Sequence, residues 1–363
     1  MGKNLKRVGI LTGGGDCPGL NAVIRAVTKA AMGGGIEVVG IEDGYLGLIQ
    51  NRMRVLNNED VSNILTTGGT ILGACNKSNP AAYSVPEGEG WVVRDVRDKV
   101  VEHYESAGLD AFVVIGGDGT MSSAVKLIER GLNIVGVPKT IDNDLWGTDI
   151  TFGHDTAVQT AAEALDKVHT TASSHHRVMV VELMGRYAGW LALNAGLASG
   201  ADVILIPEIA FDIERICSKC VERSKHGKRF TIIVAGEGAK PAGGELFVER
   251  VDDTSPDPIR LGGIAHYVAR EVETRTGLES RSIVLGHIQR GGIPTPRDRL
   301  LATQFGFHAF ELLQQRRFGR VVVEREGKIG STPIADVADK IRTVPLDHVL
   351  IRSARAVGTY FGD

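Results

Sequence analysis

Short apolar runs alternate with helix-length amphipathic stretches along most of the chain. The runs begin at Val8-Gly9-Ile10-Leu11, Val38-Val39-Gly40-Ile41, Phe112-Val113-Val114-Ile115 and Ile134-Val135-Gly136-Val137. A second series follows at Val178-Met179-Val180-Val181, Val203-Ile204-Leu205-Ile206, Thr231-Ile232-Ile233-Val234, Ile283-Val284-Leu285 and Val321-Val322-Val323. Such alternation predicts parallel sheets covered by helices on both faces. The runs are too many for one compact sheet, so the expected fold is α/β, with two doubly wound, Rossmann-like domains facing each other across a cleft. Their boundary is expected near Trp146 to Gly153, before a helix predicted over His154 to Ala172. Residues 1–150 then form one lobe and 151–289 the other, with 290–338 returning to the first and 339–363 packing near the second. Residues 240–258, rich in proline, glycine and charge, read as a surface excursion.

Composition narrows the partners. Forty-one basic and 44 acidic side chains leave a formal charge of -3, with no polybasic block and few aromatics, which argues against a nucleic-acid surface. The 46 glycines among 363 residues exceed the usual share of about 7% and cluster after apolar runs, where backbone approaches ligand. Cys17, Cys75, Cys217 and Cys220 are too scattered for a disulfide framework and fit a reducing cytoplasm. Cys217 and Cys220 form a C-x-x-C with no second pair near it, on a stretch from Phe211 to Lys225 that reads as an amphipathic helix. No apolar run approaches the 18 or so residues of a membrane span, and neither a signal-peptide core nor a myristoylation pattern is expected. A small-molecule partner remains.

Three glycine-rich or acidic stretches follow strand-like runs. In Gly136-Val137-Pro138-Lys139-Thr140-Ile141-Asp142-Asn143-Asp144, Pro138 is expected to stop the strand, placing the acidic residues at a strand's carboxyl end, where open parallel sheets bind ligands. In extended chain Asp142 and Asp144 would point the same way, beside Lys139 and Thr140; the alternative is an acidic turn. Thr12-Gly13-Gly14-Gly15-Asp16-Cys17-Pro18-Gly19 precedes a helix starting near Leu20 and can cradle a phosphate on backbone N–H groups, or be a plain tight turn. In Gly116-Gly117-Asp118-Gly119-Thr120, Asp118 can hold magnesium bridging phosphate oxygens, or cap a helix opening at Thr120. Arg177, Arg186, Arg281, His287 and Arg290 are candidate phosphate contacts, each also readable as an ordinary ion pair or structural histidine.

Taken together these stretches resemble the phosphofructokinase family. The resemblance is carried by Leu11-Thr12-Gly13-Gly14-Gly15-Asp16, Gly116-Gly117-Asp118-Gly119-Thr120, Pro138-Lys139-Thr140-Ile141-Asp142-Asn143-Asp144, Met184-Gly185-Arg186-Tyr187, Gly236-Glu237-Gly238 and Gly286-His287-Ile288-Gln289-Arg290-Gly291-Gly292, in the family's order. It implies phosphoryl transfer from ATP to the 1-hydroxyl of fructose 6-phosphate, with the first lobe binding donor and the second the sugar phosphate. Asp142 would be the base, with Arg186, Thr140 and Lys139 also catalytic. Gly14, Gly15, Gly117, Asp118, Gly119 and Thr120 would contact ATP, and Asp118 with Asp144 would hold Mg2+. Thr140, Ile141, Asp142, Met184, Gly185, Arg186 and Glu237 would line the sugar site, and His287, Ile288, Gln289 and Arg290 the 6-phosphate end. Arg177 and Arg281 would reach in from a neighbouring subunit, so the resemblance implies a homo-oligomer, a tetramer.

The donor follows from two positions. Relatives that use pyrophosphate carry Asp where Gly119 stands and Lys where Lys139 stands, whereas ordinary bacterial ATP enzymes have Gly at both. A carboxylate at 119 would repel an ATP phosphate, so Gly119 favours ATP and the pyrophosphate-dependent enzyme is the alternative. The chain departs from the family at Asn76, where an arginine is expected and Lys77 follows, and at Ser123, where a glycine packs on adenine. Around the effector site Arg25 and Lys228 remain while Asn58, His169 and His226 replace other cations, so the resemblance does not by itself imply control by ADP and phosphoenolpyruvate.

Overall fold

The computed structural model describes residues 5–88, 90–225, 227, 229–252 and 257–363; His226 and Lys228 lie outside the described residues. Among these, the strands form an eight-stranded sheet, a four-stranded sheet and two small hairpins. The large sheet runs in the order Lys328–Pro333, Arg320–Arg325, Ile134–Thr140, Ala111–Gly116, Arg7–Thr12, Glu37–Ile41, Met53–Leu56, with Phe152–Gly153 joining Ile134–Thr140 off this path. Its two outermost pairings are antiparallel and the inner ones parallel. The second sheet, in the order Val203–Leu205, Thr231–Gly236, Val178–Leu183, Ser280–Val284, is parallel throughout.

The unbroken apolar runs have a direct cause in this layering. Along Ala111–Gly116 the side chains of Val113 and Ile115 enter one core with helices Leu20–Gly33 and Pro296–Gln314, while Phe112 and Val114 enter another with helices Arg97–Ser106 and Asp118–Ile128. Alternate residues face opposite sides, so a strand covered on both faces must be apolar at every position. The second sheet repeats the scheme: Met179 and Val181 pack with helix Trp190–Ala198, Val178 and Val180 with helices Ile213–Lys225 and Ile264–Thr276. Cys217 and Cys220 are buried there as core residues.

Pro138 does not stop its strand. Pairing continues through it to Thr140, because Phe152–Gly153 takes up Lys139 and Thr140 just beyond the position that lacks an N–H. The acidic segment is likewise not extended, since Asn143 has φ 53° and turns the chain between the two aspartates. The helix predicted over His154 to Ala172 runs to His175, with His176 closing it at φ 57°.

After the second sheet the chain returns: Pro296–Gln314 lies beside Leu20–Gly33, and Arg320–Arg325 extends the first sheet at Ile134–Thr140. Beyond residue 339 it crosses again, burying Val344, Ile351, Ala354 and Phe361 in the core of the second sheet.

The returning helix is tied at its start by a buried acid. Asp298 Oδ2 accepts from Thr156 N at 2.9 Å and Thr156 Oγ1 at 2.6 Å, and Thr295 caps the helix by accepting from Asp298 N. Burial pushes the Asp298 carboxyl up to about 6, against the pull of the Thr156 bonds. A folded pKa above the unfolded value means that the folded state holds its proton more tightly, so this contribution is present below about pH 4 and lost as pH rises through about 6. In thermal unfolding from pH 4 to 7, wild type should therefore lose stability relative to Asp298→Asn by up to about 3 kcal/mol. A difference that does not vary with pH would contradict this.

Candidate active site

Strand order reverses between Arg7–Thr12 and Ala111–Gly116, and the crevice beyond their carboxyl ends is where such sheets bind ligands. Gly13 N donates to Ile115 O at 2.8 Å, joining the two loops that flank this crevice. Buried Lys139 donates to Gly15 O and stands near Gly14, its Nζ 3.5 Å from where a Cβ on Gly14 would sit. Its pKa is lowered, chiefly by burial. Asp118 opens helix Asp118–Ile128 as its first residue; the cap is Gly117, which offers no side chain. Ser122 and Ser123 hydroxyls donate back to Asp118 O and Gly119 O at 3.0 Å, and Tyr45 Oη donates to Thr120 O at 2.8 Å. The Asp118 carboxylate is thus not consumed as a cap, and a Cβ on Gly119 would meet nothing within 4 Å.

The acidic turn is fixed from several sides. Thr140 Oγ1 accepts from Asp142 N at 3.1 Å, and Asn143 Oδ1 accepts from Thr151 N at 2.9 Å. His154 Nδ1 lies 2.7 Å from Ile141 O and its Nε2 lies 3.3 Å from Asn194 Nδ2. Those partners assign the proton to Nδ1 of a neutral ring. Burial pushes His154 down to about 4, in keeping with that state.

Asp142 is buried, and its Oδ1 has no hydrogen-bond partner among the described residues. Burial raises its pKa; Arg290, Arg186 and Lys139 pull it down, and Asp118 pushes it up. Asp144 is pushed up to about 7 by burial, then by Asp142 and Asp118. Carboxylates and cations carried by widely separated stretches therefore share one electrostatic field.

The second sheet supplies the facing wall. Glu237, directly after Thr231–Gly236, accepts from Gly185 N at 3.3 Å and Arg186 N at 3.0 Å through Oε1. Burial, then Asp142, pushes Glu237 up to about 7 against those bonds. Arg186 has φ 49°, a strained value for a non-glycine residue that the Glu237 bonds stabilise. Its Nη1 pairs with Asp257 at 2.7 Å. Arg290, ending the turn Gly286–Arg290, spans the cleft to the first glycine loop, where Nη1 donates to Asp16 O at 3.3 Å and lies 2.9 Å from where a Cβ on Gly15 would sit.

Not every expected residue joins this cluster. Arg177 and Arg281 both pair with Glu279, at 2.8 and 2.6 Å, at the amino ends of strands Val178–Leu183 and Ser280–Val284, opposite to the edge that carries Arg186 and Arg290. Gln289 is buried and donates to Gly286 O at 3.1 Å, while His287 and Ile288 face outward. Lys77 pairs with Asp252 at 3.0 Å. Asp257 escaped sequence reading because it lies in residues 240–258, and no local pattern marks it as a partner of Arg186. His154 carried a usable signal, since it opens the helix immediately after the acidic segment.

For magnesium, the described residues contain no group of three or more metal-ligating side chains. That agrees with a Mg2+ held by one or two carboxylates and otherwise by phosphates and water. Asp118 and Asp144 fit: burial, then Asp142 and Asp118, raise the Asp144 pKa, a cost that a cation beside these carboxylates would offset.

Gly238 offers a direct probe of this wall. A Cβ there would lie 1.8 Å from Arg186 O, a backbone atom that cannot simply rotate away. Gly238→Ala should displace Arg186 and lower kcat/KM by about 10²-fold, the scale of a misplacement of about 1 Å. Steady-state kinetics on folded protein check this, and wild-type kinetics would contradict it.

The family profile described as Phosphofructokinase matches residues 7–313. ATP-dependent 6-phosphofructokinase 2 of Clostridium perfringens is 50% identical over 369 residues, covering 100% of both chains. ATP-dependent 6-phosphofructokinase of Spirochaeta thermophila is 48% identical, covering 98% of this chain and 97% of the other. Among solved structures, Pichia pastoris phosphofructokinase superposes with a TM-score of 0.79 at 32% identity, over 93% of this chain and 36% of that longer one. The pyrophosphate-dependent phosphofructokinase of Nitrosospira multiformis gives 0.81 at 23% identity, over 99% and 93%, which speaks to fold alone. With full-length identity near one half and a cleft lined by the expected loops, this chain belongs to the phosphofructokinase family.

Proposed function

We propose that this chain is an ATP-dependent 6-phosphofructokinase, transferring the γ-phosphoryl group of ATP to the 1-hydroxyl of fructose 6-phosphate. The observation that carries the reading is the convergence of Asp142 with Asp118, Arg186, Arg290 and Lys139 in one buried field. In this reading residues 1–150 with 290–338 form the donor lobe, and 151–289 with 339–363 the sugar lobe.

The chemistry needs one proton moved and one phosphoryl group passed. Asp142 takes the proton of the sugar 1-hydroxyl, the oxygen forms its bond to the γ-phosphorus, and the bond to the β,γ-bridging oxygen breaks, releasing ADP. A buried carboxylate is a stronger base than an exposed one, and Arg290, Arg186 and Lys139 favour its ionised form against that burial. Thr140 steadies the turn that presents it. Arg186 stabilises charge on the group in transit, exchanging its contact with Asp257 for phosphate oxygens. Gly14, Gly15 and the Gly117–Thr120 backbone receive the donor phosphates, with Lys139 alongside. Asp118 and Asp144 would hold Mg2+, which would supply charge neutralisation of those phosphates.

Met184, Gly185 and Glu237 line the sugar, and Ile141, beside Asp142, borders it. Arg290 takes the 6-phosphate together with His287, in the turn that also carries Ile288 and Gln289. Arg177 and Arg281, lying away from this chain's own cleft, serve the site of a neighbouring subunit in a tetramer. The open space at Gly119 favours ATP over pyrophosphate. No described helix is long and apolar enough to cross a membrane, and a cytoplasmic setting fits the unpaired cysteines Cys17, Cys75, Cys217 and Cys220.

Asp142→Asn tests the assignment of the base. The variant should bind fructose 6-phosphate about as well as wild type while kcat falls by about 10²- to 10⁴-fold, the range for loss of a general base. Calorimetric binding together with initial rates measures both, and undiminished turnover would reject the role.

A further inference from the structure

We propose that Arg342 is a positioning residue for the transfer: stacked on Trp190, it grips the carbonyl of Asn143 and so fixes the turn that presents Asp142 and Asp144. The residue lies beyond the region, 7–313, that matches the family profile. Its Nη2 donates to Asn143 O and to Asp149 O, both at 2.9 Å, and its backbone N donates to Asp144 O at 2.7 Å. The guanidinium carbon sits 4.2 Å from the centre of the Trp190 ring, and Trp190 Nε1 donates to Arg342 O at 2.8 Å. Two residues on, Val344 N donates to Glu208 Oε1 at 2.8 Å, the same carboxylate that accepts from Gly189 N at 3.0 Å at the start of helix Trp190–Ala198. Residues 341–344 therefore form a strap from the acidic turn to the wall of the second sheet.

The turn needs such a strap. Asn143 is held at φ 53°, a region a non-glycine residue occupies at a cost unless its surroundings over-determine it. The carbonyls of residues 141, 143 and 144 each have a donor, and Arg342 supplies two of the three. Loss of its side chain frees the peptide between Asn143 and Asp144 to rotate, carrying with it the carboxylates on either side. A flat guanidinium can bridge two carbonyls while lying on an indole face; a methionine in its place fills the space and donates nothing.

The proposal rests on Asp142 as the base, and the test separates the two. Initial rates with ATP and fructose 6-phosphate are measured for wild type, Arg342→Met, Arg342→Lys and Asp142→Asn, with circular dichroism to establish folding. In Arg342→Met kcat should fall by about 10²-fold, the effect of a misplacement of about 1 Å, while KM for both substrates stays within about threefold. Arg342→Lys, which keeps a cation over the ring but not the two-carbonyl fork, should fall only about tenfold, again through kcat. If Arg342→Met does not fold, the lysine variant decides alone. Wild-type kcat in a folded variant, a loss confined to KM, or a lysine variant as poor as a folded methionine one overturns the positioning role. An active Asp142→Asn overturns the underlying assignment instead.

Discussion

The site depends on burying acidic groups together. Asp142, Asp144 and Glu237 are each pushed toward protonation by burial, and Asp142 adds to the push on the other two. Such a cluster persists only where cations and oriented N–H groups face it, and here they come from both sides of the cleft: Lys139 from the first sheet, Arg186 and Arg290 from loops of the second. Both walls therefore act on the charge state of Asp142. In the proposed function Mg2+ would bring positive charge to the acidic groups, while Arg186, Arg290 and Lys139 would face the anionic phosphates.

Geometry comes from backbone bonds more than from side-chain packing. Parallel strands end at the same edge, so the loops after Arg7–Thr12, Ala111–Gly116 and Ile134–Thr140 meet at one rim, and those after Val178–Leu183, Thr231–Gly236 and Ser280–Val284 at the facing one. Two non-glycine residues, Asn143 and Arg186, adopt positive φ at the points where those rims carry the reacting groups. Each is held by hydrogen bonds from a separate element: Thr151 and Arg342 for the first, Glu237 for the second. Other non-glycine residues with positive φ, such as His176, close helices or turns elsewhere, while these two lie where a side chain must be aimed.

Much of this was legible in the sequence. Apolar runs identified the inner strands because those strands are covered on both faces, and the glycine and acidic motifs at their ends marked the rim. The outer strands Met53–Leu56 and Lys328–Pro333 escaped notice, being partly exposed and without an unbroken apolar run. Pro138 misled because a missing N–H matters only where the ladder requires a donor, which depends on the neighbouring Phe152–Gly153. Asp257 and Arg342 were invisible for a different reason: their partners lie 71 and 199 residues away, and nothing local distinguishes an arginine that holds a carbonyl from one in water.

The central claim is that this cleft passes the terminal phosphoryl group of a nucleotide to a sugar alcohol. Incubating the purified protein with Mg2+, fructose 6-phosphate and ATP labelled in its γ-phosphate, followed by product analysis, tests it most directly. The account predicts label at carbon 1 of fructose 1,6-bisphosphate, formed much faster with ATP than with pyrophosphate as the unlabelled donor in a parallel reaction. Product formed from pyrophosphate and not from ATP, or label released only as inorganic phosphate, would contradict it.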